Sequence, residues 1–401
     1  NCTFTSNTSP NYGGAVYIDT SATPAFTGCT FQQNTAPIGG AILLDGSSPT
    51  FTTCAFNQNS STSYAGVFVM YNAATLSVTN STFNQNSTSC CGGVLANNGC
   101  NFNFTGCTFT GNSANYGATL WADGAGTPTI TNCLFFGNTA NNSGGAVHTT
   151  NSAAPTYTNC VFSGNRAQNG YGGVAYDLSS SAARFINCSA ANNSAAPFAG
   201  GIWADGCTTT LGNSVFWQNS DANGMVQSSQ LTNNNGATAT INYTILQGWS
   251  GSLGGTANNG SNPQFTDPDG PDNIIGTPDD NLRPLPTLAC IDSGNNALVP
   301  AGITTDAAGN ARFANDPCVT DTGGGSPPIV DRGAYERIPL SQLLGDIDAS
   351  GSVNLADVAP FVSVLLGTDT TPAHVAAADM NCDTAANGKD IAPFISKLLG
   401  P

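Results

Sequence analysis

Apolar positions along the first 220 residues return on a fixed beat. A Phe followed three residues later by Asn marks each one, at Phe4, Phe31, Phe56, Phe83, Phe109, Phe135, Phe162 and Phe216, with Ala190 filling the one missing place. The partner asparagines are Asn7, Asn34, Asn59, Asn86, Asn112, Asn138, Asn165, Asn193 and Asn219, so the period is 25 to 28 residues over nine copies. Such a period means that one short unit is stacked on itself. Each unit carries two apolar segments. One follows a pair of small residues, as in Gly39-Gly40-Ala41-Ile42-Leu43; the other surrounds the Phe, as in Phe26-Thr27-Gly28-Cys29-Thr30-Phe31. Both are short, rich in β-branched or aromatic residues and bounded by Gly, Asn, Asp or Pro, which reads as strands. No apolar 3.6 period lasts for three turns, so helices are not expected here.

A unit of this length with two or three strands closes as one coil of a parallel β-helix. Leucine-rich repeats need an L-x-x-L-x-L series that is absent, and propeller blades need roughly 40 residues. Strands of successive coils pair about 4.8 Å apart, so nine coils predict a rod on the order of 40 Å long. Phe then stacks on Phe, and the asparagines turn inward at a bend to bond the backbone of adjacent coils. Cys2, Cys29, Cys54, Cys107, Cys133, Cys160 and Cys188 share one repeat position, which Ser81 and Ser214 take in the other two units. Two readings stay open for them: a packed ladder of free thiols, or disulfides between neighbouring coils. Off the ladder, a bridge from Cys100 to Cys90 or Cys91 is expected, and another between Cys290 and Cys318.

The repeat decays from about residue 221. Ile241-Asn242-Tyr243-Thr244-Ile245-Leu246 reads as one further strand, and Pro- and Asp-rich sequence follows. Two phrases then stand out, Cys290-Ile291-Asp292-Ser293-Gly294 and Asp331-Arg332-Gly333-Ala334-Tyr335-Glu336.

The sharpest chemistry is at the C terminus. Asp346, Asp348, Ser350, Asn354 and Asp357 put side-chain oxygens at positions 1, 3, 5, 9 and 12 of a loop, with the Ser352 carbonyl available at position 7. That is the spacing of a calcium loop, closed here by Asp rather than Glu. Thirty-three residues later Asp379, Asn381, Asp383, Ala385, Asn387 and Asp390 repeat it. Each loop runs into a similar predicted helix, from Val358 to Leu366 and from Ile391 to Leu399, closed by Gly367 and Gly400. Thr384 stands where the second loop needs Gly for its turn, which predicts a strained or weaker second site.

Composition narrows the function. Only 8% of residues are charged, 40% are hydrophobic and the net charge is -16. Six acids precede residue 231 and eighteen lie from there on; Arg166 and Arg184 are the bases of the first part. No basic patch exists to neutralise phosphates, so nucleic acid is not an expected partner. No run of 18 apolar residues predicts a membrane span. Fourteen cysteines, low charge and calcium loops fit an extracellular or bacterial cell-surface protein. The chain starts inside a repeat, at Asn1-Cys2-Thr3-Phe4, from which residues upstream are expected.

Sugar-cleaving chemistry needs carboxylates gathered with a base or cation. Asp19, Asp45, Asp123, Asp177 and Asp205 fall at nearly equivalent places, but Asp-Gly pairs at Asp45, Asp123 and Asp205 read as turns. His148 reads as a core or lining residue. No nucleophile elbow, phosphate loop or zinc-spaced cluster appears. No catalytic residue is assigned. A non-enzyme is favoured, with a polysaccharide lyase or glycoside hydrolase as the alternative, for which Asp177, Asp205 and Arg184 would have to share a groove.

The G-G-A-[IVL] and F-x-x-N phrases of residues 1–220 resemble right-handed parallel β-helix surface proteins of bacteria, including polymorphic outer-membrane proteins and autotransporter-like adhesins. The two phrases around Asp292 and Asp331 resemble a closing module of secreted β-helices, which implies a final strand over 331–336 and a cap on the solenoid. The duplicated loop-helix over 345–400 resembles type I dockerin, as on secreted planctomycete proteins. That resemblance implies calcium and a cohesin-like or other surface protein as partner; the alternative is that the tail docks on its own rod. The expected organisation is a β-helix of nine or ten coils over 1–260, an irregular closing region over 261–340 and a small α-helical, paired calcium-loop domain over 341–401. The expected function is a structural or adhesive extracellular rod, with self-association into a fibre or contact with a polysaccharide as further possibilities.

Overall fold

The computed structural model describes residues 1–285, 289–316, 318–337, 344–383 and 385–399. Within one coil the chain passes through four strands, for instance Thr30–Gln32, Thr35–Ile38, Ile42–Asp45 and Thr50–Thr52. Equivalent strands of successive coils pair in parallel. Among the described residues they build four sheets of ten, seven, nine and nine strands, numbered first to fourth along a coil.

The expectation of two or three strands per coil undercounts, and the reason is local. Phe26 and Phe31 lie in different strands because Gly28, at φ 61°, turns the chain between them. Thr53, Asn80 and Asn132 hold the same left-handed conformation in later coils. A second left-handed residue, such as Gln33, Gln58 or Gln85, turns the chain again before each asparagine. Likewise 241–246 is divided between Thr238–Asn242 of the fourth sheet and Ile245–Leu246 of the first. At the small-residue pair the constraint is space. A Cβ on Gly40 would lie 2.4 Å from the carbonyl oxygens of Gly66 and Ser60 in the next coil.

Phenylalanines fill the interior in register. Phe4, Phe31, Phe56, Phe83, Phe109, Phe135 and Phe162 stack with centroids 4.6 to 5.0 Å apart and planes within 9°. Each such contact adds about 0.5–1.5 kcal/mol beyond area burial. Beside this column runs a ladder of buried asparagines. Asn138 donates from Nδ2 to Asn165 Oδ1 (2.9 Å) and to the Phe109 carbonyl (3.1 Å). Its own Oδ1 accepts from Asn112 N (2.9 Å) and Asn112 Nδ2 (3.0 Å). The same pattern links Asn7 through Asn219 and ends on Gln230 Oε1. A corner that would otherwise bury orphaned amides is thereby satisfied.

The cysteine ladder consists of free thiols, all buried apart from Cys2. The sulfurs of Cys54, Cys107, Cys160 and Cys188 donate to carbonyls of the preceding coil, as Cys160 Sγ does to Ile130 O (3.3 Å), while those of Cys29 and Cys133 accept from Cys2 N (3.3 Å) and Cys107 N (3.4 Å). Ser81 and Ser214 do the same for Cys54 and Cys188 at 3.0 Å, which explains why serine substitutes there. Both expected bridges off the ladder are corrected. Cys90 bonds to its neighbour Cys91, and Cys318 bonds to Cys382. Cys100 and Cys290 are free, Cys100 buried in the solenoid core and Cys290 in a separate apolar cluster.

Residues 247–259 cover the C-terminal end of the solenoid. Trp249 and Leu253 pack against the core, and Thr256 and Asn259 form bridges with Asn242 and Ile245. The cap expected from residues 261–337 therefore lies elsewhere. That segment lies along the outer face of the first sheet, where Leu282, Ala334 and Tyr335 pack on Phe136, Val161 and Ala191. Cys290 and Ile291 pack on Val215 and Ile245 in the same way. The two sequence phrases do meet. Asp292 N donates to Asp331 Oδ1 (2.7 Å), Gly294 N to the Val330 carbonyl (2.9 Å) and Arg332 N to the Cys290 carbonyl (2.9 Å). No strand forms over 331–336, against expectation. The N–H groups of Gly333, Ala334 and Glu336 go instead to Asn213 O, Ser189 Oγ and Asp306 Oδ2. Beneath them lies a buried ion pair, Arg312 Nε to Glu336 Oε1 at 3.1 Å, with both side chains fully enclosed. The Nε–H is not aimed at that oxygen, which accepts instead from Asp331 N (3.0 Å), and burial pushes the Glu336 carboxyl up against the pull of Arg312.

Candidate metal centre

Among the described residues three α-helices and one 3-10 turn, Leu355–Asp357, follow residue 344. The short helix Gln227–Gln230, beside the solenoid, is α1; Val358–Leu365 is α2, Pro372–Ala378 is α3 and Ile391–Leu399 is α4. Phe361 and Phe394, at matching places in α2 and α4, stack at 4.0 Å with planes 6° apart. With Ile347, Val364, Ala377 and Ala378 they make a small core of their own. Gly367, at φ 68°, ends α2 and donates to the Val364 carbonyl (2.9 Å). Gly400 and Thr384, the expected cap and the departure in the second loop, lie outside the described residues, as does the boundary at 340/341. Sequence reasoning missed α3, although Pro372 at its first turn is a helix-start signal.

In the first loop, carboxylate oxygens of Asp346, Asp348 and Asp357 lie within 4.8 Å of one another. Asp357 is fully buried and organises the loop, its Oδ1 accepting from Ile347 N (2.7 Å) and Asp348 N (3.1 Å), its Oδ2 from Asn354 N (2.9 Å). Asp346 accepts from Gly351 N (2.8 Å) and Ser350 N (2.9 Å). Burial pushes the Asp346 carboxyl up, but these N–H groups outweigh it and leave the group below the usual carboxylate range. Ser350 Oγ donates to the Ser352 carbonyl (3.2 Å), and Asn354 Nδ2 to the same oxygen (3.1 Å). The loop thus gathers three carboxylates and a carbonyl, a hard-oxygen set able to hold a divalent cation.

The second loop has the same skeleton. Asp390, fully buried, accepts from Asn381 N (3.0 Å) and Asn387 N (2.8 Å). Asp379 accepts from Asp383 N (3.0 Å), and the Ala385 carbonyl accepts from Asn387 Nδ2 (2.6 Å). Two features differ, the first being that among the described residues the carboxylates gathered within 4.8 Å are those of the first loop. Lys389 Nζ donates to Asp383 Oδ2 (2.7 Å) and holds that carboxyl below its usual range. An ammonium on a would-be ligand competes with any cation there.

On the solenoid, the five aspartates divide. Asp45, Asp123 and Asp205 lie one residue beyond the inward row that includes Thr149, Asp177 and Ala204, and Asp19 follows its strand in the same way. Asp177 faces the interior and is fully buried, since a shift of one residue along a strand reverses the face. Burial pushes its carboxyl up to about 7. Arg184 is exposed on the fourth sheet, so Asp177, Asp205 and Arg184 share no groove. His148 is 6% exposed, and burial brings its imidazole down to about 3. Tyr116 and Tyr176 enclose it edge-on.

Residues 1–135 and 92–267 match the family described as right handed beta helix region, which together is more than half of the chain. The chain belongs to that family. Residues 344–399 of this β-helix protein match the dockerin type I domain. No curated protein and no solved structure matches the chain. No helix among the described residues is long and apolar enough to cross a membrane. A β-helix joined to a dockerin-type module fits a secreted or surface-associated protein, and the module implies a cohesin-type or surface partner.

Proposed function

We propose that this β-helix protein is a non-catalytic extracellular rod, structural or adhesive, carried on its partner by a calcium-folded tail. Asp346, Asp348, Ser350, Ser352, Asn354 and Asp357 would hold one calcium ion, and Asp379, Asn381, Asp383, Ala385, Asn387 and Asp390 a second, weaker one. The region from 341 to 401 would act as one unit, apart from a rod over 1–260 and a closing region over 261–340.

One observation carries this reading: the two loop-helix units expose the same apolar side chains. Val362, Leu366, Ile395 and Leu399 are 45%, 72%, 46% and 77% exposed, and each of the first two has its counterpart 33 residues on. A duplicated apolar stripe beside two cation loops is what a docking partner would cover. A partner of the cohesin kind fits better than strand-on-strand stacking into a fibre, because residues 247–259 already cover one solenoid edge. Sedimentation of the intact chain with a type I cohesin tests the proposal. Complex formation in calcium and its loss in EGTA is expected. A chain that neither binds cohesin nor self-associates in calcium would remove the connector role.

A further inference from the structure

The outward row of the third sheet reads Tyr17, Leu43, Val69, Ala96, Trp121, His148, Tyr176 and Trp203, one residue per coil. Ala96 is the smallest member, flanked by Val69 and Trp121. A hollow of about 220 Å³ opens over it, lined also by Tyr64, Tyr71, Asn98 and Asp123. Tyr64 comes from the second sheet, and its ring lies 5.8 Å from that of Trp121 with planes 12° apart, so the wall is a continuous aromatic surface. Cys91, in the covalent pair with Cys90, takes the place between Tyr64 and Tyr116 in adjoining coils and staples the backbone beside the hollow. The rim is polar: Asn98 is exposed, and Asp123 commits only Oδ1, to Asn151 Nδ2 (2.6 Å).

We propose that this hollow binds an uncharged sugar residue of a glycan. A pyranose presents apolar C–H faces to an aromatic wall and hydroxyls to an amide and a carboxylate at the edge. Charge selects against acidic glycans, since Asp123 would repel them and neither Arg166 nor Arg184 lines the hollow. This site supplies the adhesive reading above with a ligand class and rests on that reading for its purpose. It nonetheless stands on the rod, away from the calcium loops.

Affinity electrophoresis of the intact chain tests it, in gels holding hydroxyethyl cellulose, soluble starch or galactomannan, with polygalacturonate as the acidic comparison. Retardation by at least one neutral glycan is expected, unaffected by EGTA, and absent in polygalacturonate. Trp121→Ala should weaken it roughly tenfold or more by removing the wall. Ala96→Leu should abolish it by filling the hollow, and the row accepts that side chain because Leu43 already occupies it. No retardation by any neutral glycan, undiminished retardation of Ala96→Leu, or preferential binding to polygalacturonate would overturn the proposal. Loss of cohesin binding with sugar retention intact would instead count against the tail.

Discussion

Replacing Asn138 by Ala probes the asparagine ladder where it is fully enclosed. The substitution removes four hydrogen bonds. Asn112 N–H loses the acceptor it has in the ladder, while Asn112 Nδ2 keeps the Phe83 carbonyl (3.0 Å). Phe109 O and Asn165 Oδ1 each lose a donor. A buried amide without a partner costs roughly 1–3 kcal/mol, and each of the three weakened groups about 0.5–1.5 kcal/mol, so the total is about 2.5–7.5 kcal/mol. Gln58 supplies the control. It belongs to a parallel ladder on the outside, accepting from Gln33 (3.3 Å) and donating to Gln85 (3.1 Å) where water replaces either contact. Gln58→Ala should change stability by no more than about 0.5 kcal/mol. Urea unfolding followed by far-UV circular dichroism reads both variants. Equal losses, or a loss below about 1 kcal/mol for Asn138→Ala, would refute the argument that inward amides hold the corner.

Three further outcomes follow from the placement of charge. The folded-state carboxyl of Asp177 titrates at about 7 against an ordinary 3.8, so the folded chain binds that proton more tightly. Its contribution is complete below the unfolded value and disappears as pH rises through 7; Asp177→Asn should therefore flatten the fall in stability between roughly pH 4 and 8. Glu336→Ala strands the enclosed Arg312 guanidinium and the Asp331 N–H and should cost about 3–5 kcal/mol in thermal unfolding, of which the Arg312→Met, Glu336→Leu double variant should recover only a part, because Asp331 N and O then lose their buried partners. Lys389→Gln removes the ammonium from Asp383 and should tighten calcium binding at the proposed second loop in a competition with a fluorescent chelator.

Much of the rod was legible because its period lies in the side chains that stack. Phe and Asn must recur wherever identical columns form, so the coil and its inner columns could be read directly, whereas the shared cysteines stayed open between thiols and disulfides until the structure showed thiols. Four strands per coil could not, since the turning residues include Thr53, Gln58 and Gln85, which carry no turn signal by themselves. The inward place of Asp177 was hidden by a parity of one residue. A readable signal was missed on the first sheet. Its outward positions change from Thr108 and Thr110 to Leu134, Phe136, Val161, Val215 and Trp217 where the segment 261–337 covers it. The three carboxylates that gather in the first loop were legible from spacing, whereas the Cys318–Cys382 pair, 64 residues apart, depends on how the chain returns in space.

Calorimetric titration of the metal-free intact chain with calcium puts the connector account at greatest risk. Two binding events are predicted, the tighter removed by Asp357→Ala and the weaker by Asp390→Ala, with the sheet signal of the rod unchanged. A silent titration, or one that survives in the double variant, would contradict it.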